Sequence, residues 1–165
     1  MARKLFSFPN PVNEKSARLV ASGVVLMCLV TIAFNLPWLT AVIAYGFIAR
    51  VLTGPTLSPL GQLVTRVITP RLPGASKLVP GPPKRFAQGM GAFMSTLACV
   101  LALGFGLTTL AYVVLGLMAV AAFLEAAFAY CLGCKIFGLL IRRGIIPASV
   151  CDECADITKR HPQLA

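Results

Sequence analysis

Two Cys-x-x-Cys pairs, Cys131-Leu132-Gly133-Cys134 and Cys151-Asp152-Glu153-Cys154, stand sixteen residues apart near the end of the chain. Thiols at that spacing suit one of two chemistries. Four thiolates can close a tetrahedral site for zinc or iron, or each pair can cycle between dithiol and disulfide. Reach permits a shared site: a helix from Cys134 to Arg143 extends about 14 Å, and eight extended residues from Gly144 to Cys151 span about 26 Å, so the tail can fold back.

The two pairs differ in local environment. Read as the end of a long apolar helix, Cys131 and Cys134 meet the negative end of a macrodipole, which disfavours thiolate, and Lys135, Arg142 and Arg143 compensate only in part. Cys151 follows Ser149 at the start of a short predicted helix, with Ser149 and Asp152 at capping-box spacing. A helix N-terminus lowers a thiol pKa, against which the acids Asp152 and Glu153 act. The redox reading therefore has Cys151 attacking a disulfide or persulfide and Cys154 resolving it, while Cys131 and Cys134 pass electrons or sulfur onward. The rival reading is a structural or scaffold protein with metal held by Cys131, Cys134, Cys151 and Cys154. Cys28 and Cys99 each stand alone in an apolar run and read as small core residues. His161, the single histidine, reads as a solvated tail side chain.

Composition says what must position these thiols. Hydrophobic residues make up 58% of the 165, charged residues only 12%, and the mean hydropathy is +0.84, which points to lipid rather than water around most of the chain. A net charge of +10 raises nucleic acid as a partner, but the basic residues border apolar runs instead of interleaving with aromatics on one face, so a bilayer is the partner expected. Six cysteines would indicate a disulfide scaffold in an oxidising compartment. The start of the chain does not read as a cleavable export signal, because the apolar run begins near Leu19 with no small-residue cleavage site before Trp38.

No charge falls between Leu19 and Leu36, and only Arg50 between Pro37 and Thr53, with Asn35-Leu36-Pro37-Trp38 as the turn. A second pair of apolar runs, about Phe86 to Leu103 and Thr108 to Tyr130, is broken at Gly104-Phe105-Gly106 and holds a single charge, Glu125. The expected architecture is an all-α membrane protein: a cytoplasmic segment 1–18, a first transmembrane hairpin 19–53, a connection 54–85, a second hairpin 86–141 ending in Cys-x-x-Cys, and a tail 142–165. Neither hairpin turn carries Lys or Arg while the other three segments carry nearly all of them, which predicts both termini and the connection on the cytoplasmic side. Within the connection, Leu60, Leu63, Val64, Val67 and Ile68 recur at helical spacing behind Ser58 as N-cap and Pro59 at the first helical position, predicting a short amphipathic helix on the membrane surface. Residues 72–83 read as an irregular strap. Counting about 1.5 Å per residue from the uncharged turns puts Arg50 about 20 Å and Glu125 about 24 Å deep, so an Arg50–Glu125 ion pair clamping the hairpins is expected. A proton or cation site at Glu125 is the sharper alternative, but one acid makes a poor relay.

The combination Asn13-Glu14-Lys15, Gly54-Pro55 with Ser58-Pro59-Leu60, Pro83-Lys84-Arg85-Phe86-Ala87-Gln88, and Glu125 ahead of Cys131-Leu132-Gly133-Cys134 resembles a bacterial membrane family catalogued as domain of unknown function 4395. The resemblance covers roughly residues 10–141. It implies a multi-pass inner-membrane protein with no assigned activity, and an association with thioredoxin-like and sulfurtransferase proteins that favours the thiol reading as analogy. Cys151 and Cys154 lie beyond it, so a shared four-cysteine site rests on this sequence alone.

Overall fold

The computed structural model describes residues 8–72, 77–147 and 150. Cys151 and Cys154 lie outside the described residues. The fold is mostly helical: α1 Glu14–Ala33, α2 Leu39–Thr53, a short α3 Pro59–Gln62 continued by a π-helical turn Leu63–Ile68, α4 Gly81–Cys99 continued by a second π-helical turn Val100–Gly104, α5 Thr108–Phe128 and α6 Leu132–Arg142. Among the described residues, α1, α5 and the 24-residue run Gly81–Gly104 are long and apolar enough to cross a membrane; α2 is also apolar but has 15 residues.

Local signals set most boundaries. The Asn13 side chain accepts the Lys15 N–H at 2.9 Å and caps α1, whose first turn carries Glu14 toward the positive end of the dipole. Asn35, with φ +50, turns the chain after α1, a conformation that asparagine tolerates better than most residues. Ser58 caps α3 by accepting the Gly61 N–H at 3.2 Å, with Pro59 in the first helical position, as its sequence predicts. Within the expected strap, Leu78–Val79 forms an antiparallel bridge with Val12–Asn13.

The helices do not pack as two self-contained hairpins. Helix α1 lies along α5, α2 lies along α4, and α4 lies along α5, whereas α1 and α2 touch little, giving the lateral order α2–α4–α5–α1. The interior is made of small and medium residues: Cys28, Ala98, Ala111 and Leu115 are fully buried, with Val24, Ile43 and Met118 around them. Buried hydroxyls bond back to their own helices, Thr31 to the Met27 carbonyl at 2.7 Å and Ser95 to the Gly91 carbonyl at 2.7 Å, which removes the cost of an unpaired polar group. The outer surface is as apolar as the interior. Phe93 in the middle of α4 is 71% exposed, Leu26 of α1 63% and Leu117 of α5 62%. In water such a surface is an aggregation hazard; against acyl chains it carries no penalty.

Candidate functional site

The charges in the helical body gather at one end. The opposite end consists of the Leu36–Trp38 and Gly104–Leu107 turns, tied together by Tyr112, whose hydroxyl bonds Asn35 Oδ1 at 2.7 Å. At the charged end Arg18 of α1 donates from Nε and Nη2 to the carbonyls of Ala126 and Ala127, at 2.9 and 3.0 Å, and so satisfies the exposed acceptors of the α5 C-terminus.

The expected Arg50–Glu125 pair does not form. Helix α4 stands between α2 and α5, so the two side chains reach different partners. Arg50, 5% exposed, donates from Nε to Gln88 Oε1 at 2.9 Å and from Nη1 to Ser58 Oγ at 3.1 Å, and its guanidinium lies 4.4 Å from the centre of the Phe47 ring. Glu125 instead makes a direct ion pair with Lys84. Lys84 is available because α4 begins at Gly81, five residues before the predicted start, with prolines inside its first turn. Proline loses nothing there, since a first-turn N–H has no intrahelical acceptor.

The cysteines also depart from expectation. Helix α5 does not run on into Cys131. It stops at Phe128, and Ala129, at φ +54, turns the chain in the left-handed conformation, with its N–H bonded to the Glu125 carbonyl at 3.1 Å. Cys131 is then the N-cap of a new helix, α6, and its Sγ accepts the backbone N–H of Cys134 at 3.3 Å. The helix dipole at the pair is therefore opposite to that expected: the cysteines sit at the positive end of α6, not the negative end of α5. Cys131 is buried and Cys134 half-buried, and neither forms a disulfide. A hydrogen bond from the Cys134 thiol holds Cys131 below the ordinary thiol range, with the Lys84 ammonium and the Cys134 N–H assisting, while burial and the Glu125 carboxylate oppose. Cys134, the donor of that bond and itself buried, is pushed up. The two neighbouring sulfurs are thus inequivalent, Cys131 the more acidic and Cys134 the less.

Helix α6 is pressed against the start of α4. Phe137 packs on Phe86 with ring centres 5.5 Å apart. At Gly133 an added Cβ would lie 2.5 Å from Ala87 Cβ and 2.6 Å from Ala87 Cα, so only glycine allows this approach. The family described as domain of unknown function (DUF4395) matches residues 12–142. The chain belongs to that family. The DUF4395 match spans every helix above and includes Cys131 and Cys134, while Cys151 and Cys154 fall beyond it. No curated protein matches the chain, and no solved structure does.

The structure thus joins four polar groups of the DUF4395 region, Lys84, Glu125, Cys131 and Cys134, of which composition and spacing single out three. Sequence reasoning misses Lys84, Gln88 and Ser58 as partners of the buried charges. The available signal was the Pro82-Pro83 pair directly ahead of Lys84, which marks a helix start, together with the four-residue spacing of Lys84 and Gln88 on one face of the helix. Among the described residues no three of His, Cys, Asp and Glu are grouped so as to hold a metal ion.

Proposed function

We propose that this protein crosses the bacterial inner membrane with four helices, α1, α2, α4 and α5, its charged end in the cytoplasm, and uses Cys131 and Cys134 as a membrane-surface thiol couple that exchanges electrons or sulfur with a soluble thioredoxin-like or sulfurtransferase partner. The observation that carries this reading is Cys131 at the α6 N-cap, with the Cys134 backbone N–H donating to its sulfur at 3.3 Å. That arrangement favours a thiolate at Cys131 and a neighbouring thiol positioned to resolve a mixed disulfide or persulfide. Cys151 and Cys154 then form the second couple, on the tail. For α2, about 22 Å of helix leaves several ångströms of a bilayer core of about 30 Å uncovered, which the Leu36–Trp38 turn and local thinning make up. Glu125, engaged by Lys84, is a structural and electrostatic neighbour of the thiols and not a transport site.

The spacing of the two Cys-x-x-Cys pairs supports a second reading, a scaffold protein holding zinc or iron with all four thiolates. Four single Cys→Ser variants separate the two. In the thiol reading Cys134→Ser accumulates a mixed disulfide or persulfide on Cys131, whereas Cys151→Ser, which keeps Cys134 to resolve it, does not. In the metal reading purified protein carries stoichiometric metal that each of the four variants loses alike. Four fully replaceable cysteines would reject both.

A further inference from the structure

Beside the thiol pair lies a cavity of about 280 Å³ between α2, α4, α5 and α6. Phe47, Met94 and Met118 form its apolar walls, and Gln88, Glu125 and Cys131 meet at its charged end. We propose that this cavity binds a lipid-soluble quinone and that the Cys131–Cys134 dithiol is oxidised by it.

Three features argue for this class of ligand. The cavity is a half-open cleft between helices whose outer surfaces are apolar, so in the topology proposed above its occupant comes from the bilayer. An acyl chain would use the walls but not the polar end, whereas a flat ring bearing carbonyls uses both, with methionine and phenylalanine side chains suited to an aromatic face. Gln88 supplies the matching donor, because Arg50 donates to its Oε1 at 2.9 Å and so leaves the amide NH2 for a ring carbonyl. Cys131, the N-cap of α6, lines the same cavity, so the thiol pair adjoins the space the ring would fill.

In the reaction the two S–H bonds of the dithiol break and one S–S bond forms. The two electrons and two protons released pass to the two quinone oxygens, giving the quinol. Lys84 and Glu125, next to Cys131, are positioned to relay the Cys131 proton to the nearer quinone oxygen. The dithiol is regenerated by the soluble thiol partner proposed above, a reading on which this inference rests.

The test uses the full-length chain in lipid nanodiscs, reduced, freed of reductant under anaerobic conditions and mixed with decylubiquinone. Quinol is followed by absorbance, and Cys131 and Cys134 are followed by alkylation and mass spectrometry. One quinol per chain, formed with loss of both thiols, is expected. Ala121 also lines the cavity, and Ala121→Phe should slow oxidation by quinone about tenfold, equivalent to about 1.4 kcal/mol, while oxidation by glutathione disulfide proceeds at the wild-type rate. If glutathione disulfide oxidises the wild-type pair and quinone does not, the inference falls and the thiol function stands. If neither oxidant closes the disulfide, both fall. Quinone oxidation unaffected by a folded Ala121→Phe would place the reaction outside the cavity and overturn the assignment.

Discussion

Replacing Glu125 with glutamine removes the only carboxylate that pairs with Lys84 among the described residues. The two side chains retain 10% and 17% of their exposure, so the pair lies close to the buried limit, where removal of one partner costs about 3–5 kcal/mol. Two effects reduce this figure: some solvent still reaches the ammonium, and a glutamine oxygen can accept one of its hydrogens. About 2–3 kcal/mol of destabilisation is expected for Glu125→Gln and a similar loss for Lys84→Met. The double variant should cost about 2 kcal/mol less than the sum, because no uncompensated charge remains in it. Unfolding by sodium dodecyl sulfate in mixed micelles, followed by far-ultraviolet circular dichroism, supplies all three values. The Cys131 thiol gives an independent sign. Glu125 raises its pKa and Lys84 lowers it, so the pH midpoint for iodoacetamide alkylation should fall in Glu125→Gln and rise in Lys84→Met. Additive stabilities, with a coupling under about 0.5 kcal/mol, together with alkylation midpoints that move the same way, would refute the reasoning.

In the wild type, Cys131 should alkylate with a pH midpoint below that of a free cysteine and ahead of Cys134, whose thiol is held up; equal midpoints measured by mass spectrometry would contradict the N-cap assignment. Gly133→Ala should loosen α6 from α4 at a cost of about 1–3 kcal/mol, because the added methyl meets Ala87 backbone and cannot rotate away, and hydrogen exchange in residues 132–142 should rise accordingly. Arg50→Lys keeps the charge but cannot hold Gln88 and Ser58 in the same fork, so it should lower stability by about 1–2 kcal/mol in the same micelle titration. A reporter fused after Ala165 should be active only in the cytoplasmic form; activity confined to the periplasmic form would invert the proposed topology.

The apolar runs were legible because a membrane span needs a long uncharged stretch, and few other structures do. Ser58 with Pro59 was legible for a local reason: a cap is decided within three residues. The partners of the buried charges were not legible, because pairing depends on lateral helix order, and nothing in the sequence places α4 between α2 and α5. The break at Ala129 was hidden for a different reason. Phe128-Ala129-Tyr130 contains neither glycine nor proline, so an apolar helix reads straight through it, yet the chain adopts the left-handed turn there with an alanine. That single turn moves the thiols from the negative end of one dipole to the positive end of another and reverses the expected reactivity of the pair.

The lateral order α2–α4–α5–α1 also bears on how the protein is made. Helices α1 and α2 are synthesised first, but these make few contacts with each other, and their neighbours are still untranslated when Thr53 is added. At about 5–20 residues per second the wait from Thr53 to Phe128 lasts about 4–15 seconds. During that interval Arg50 lacks Gln88, and Arg18 lacks the carbonyls of Ala126 and Ala127 that it will cap. The α1–α2 segment is therefore a client for whatever insertase or membrane protease reaches it first. A chain cut short anywhere before α5 leaves α1 without its main packing partner, so truncated products should be cleared rather than accumulate as stable fragments.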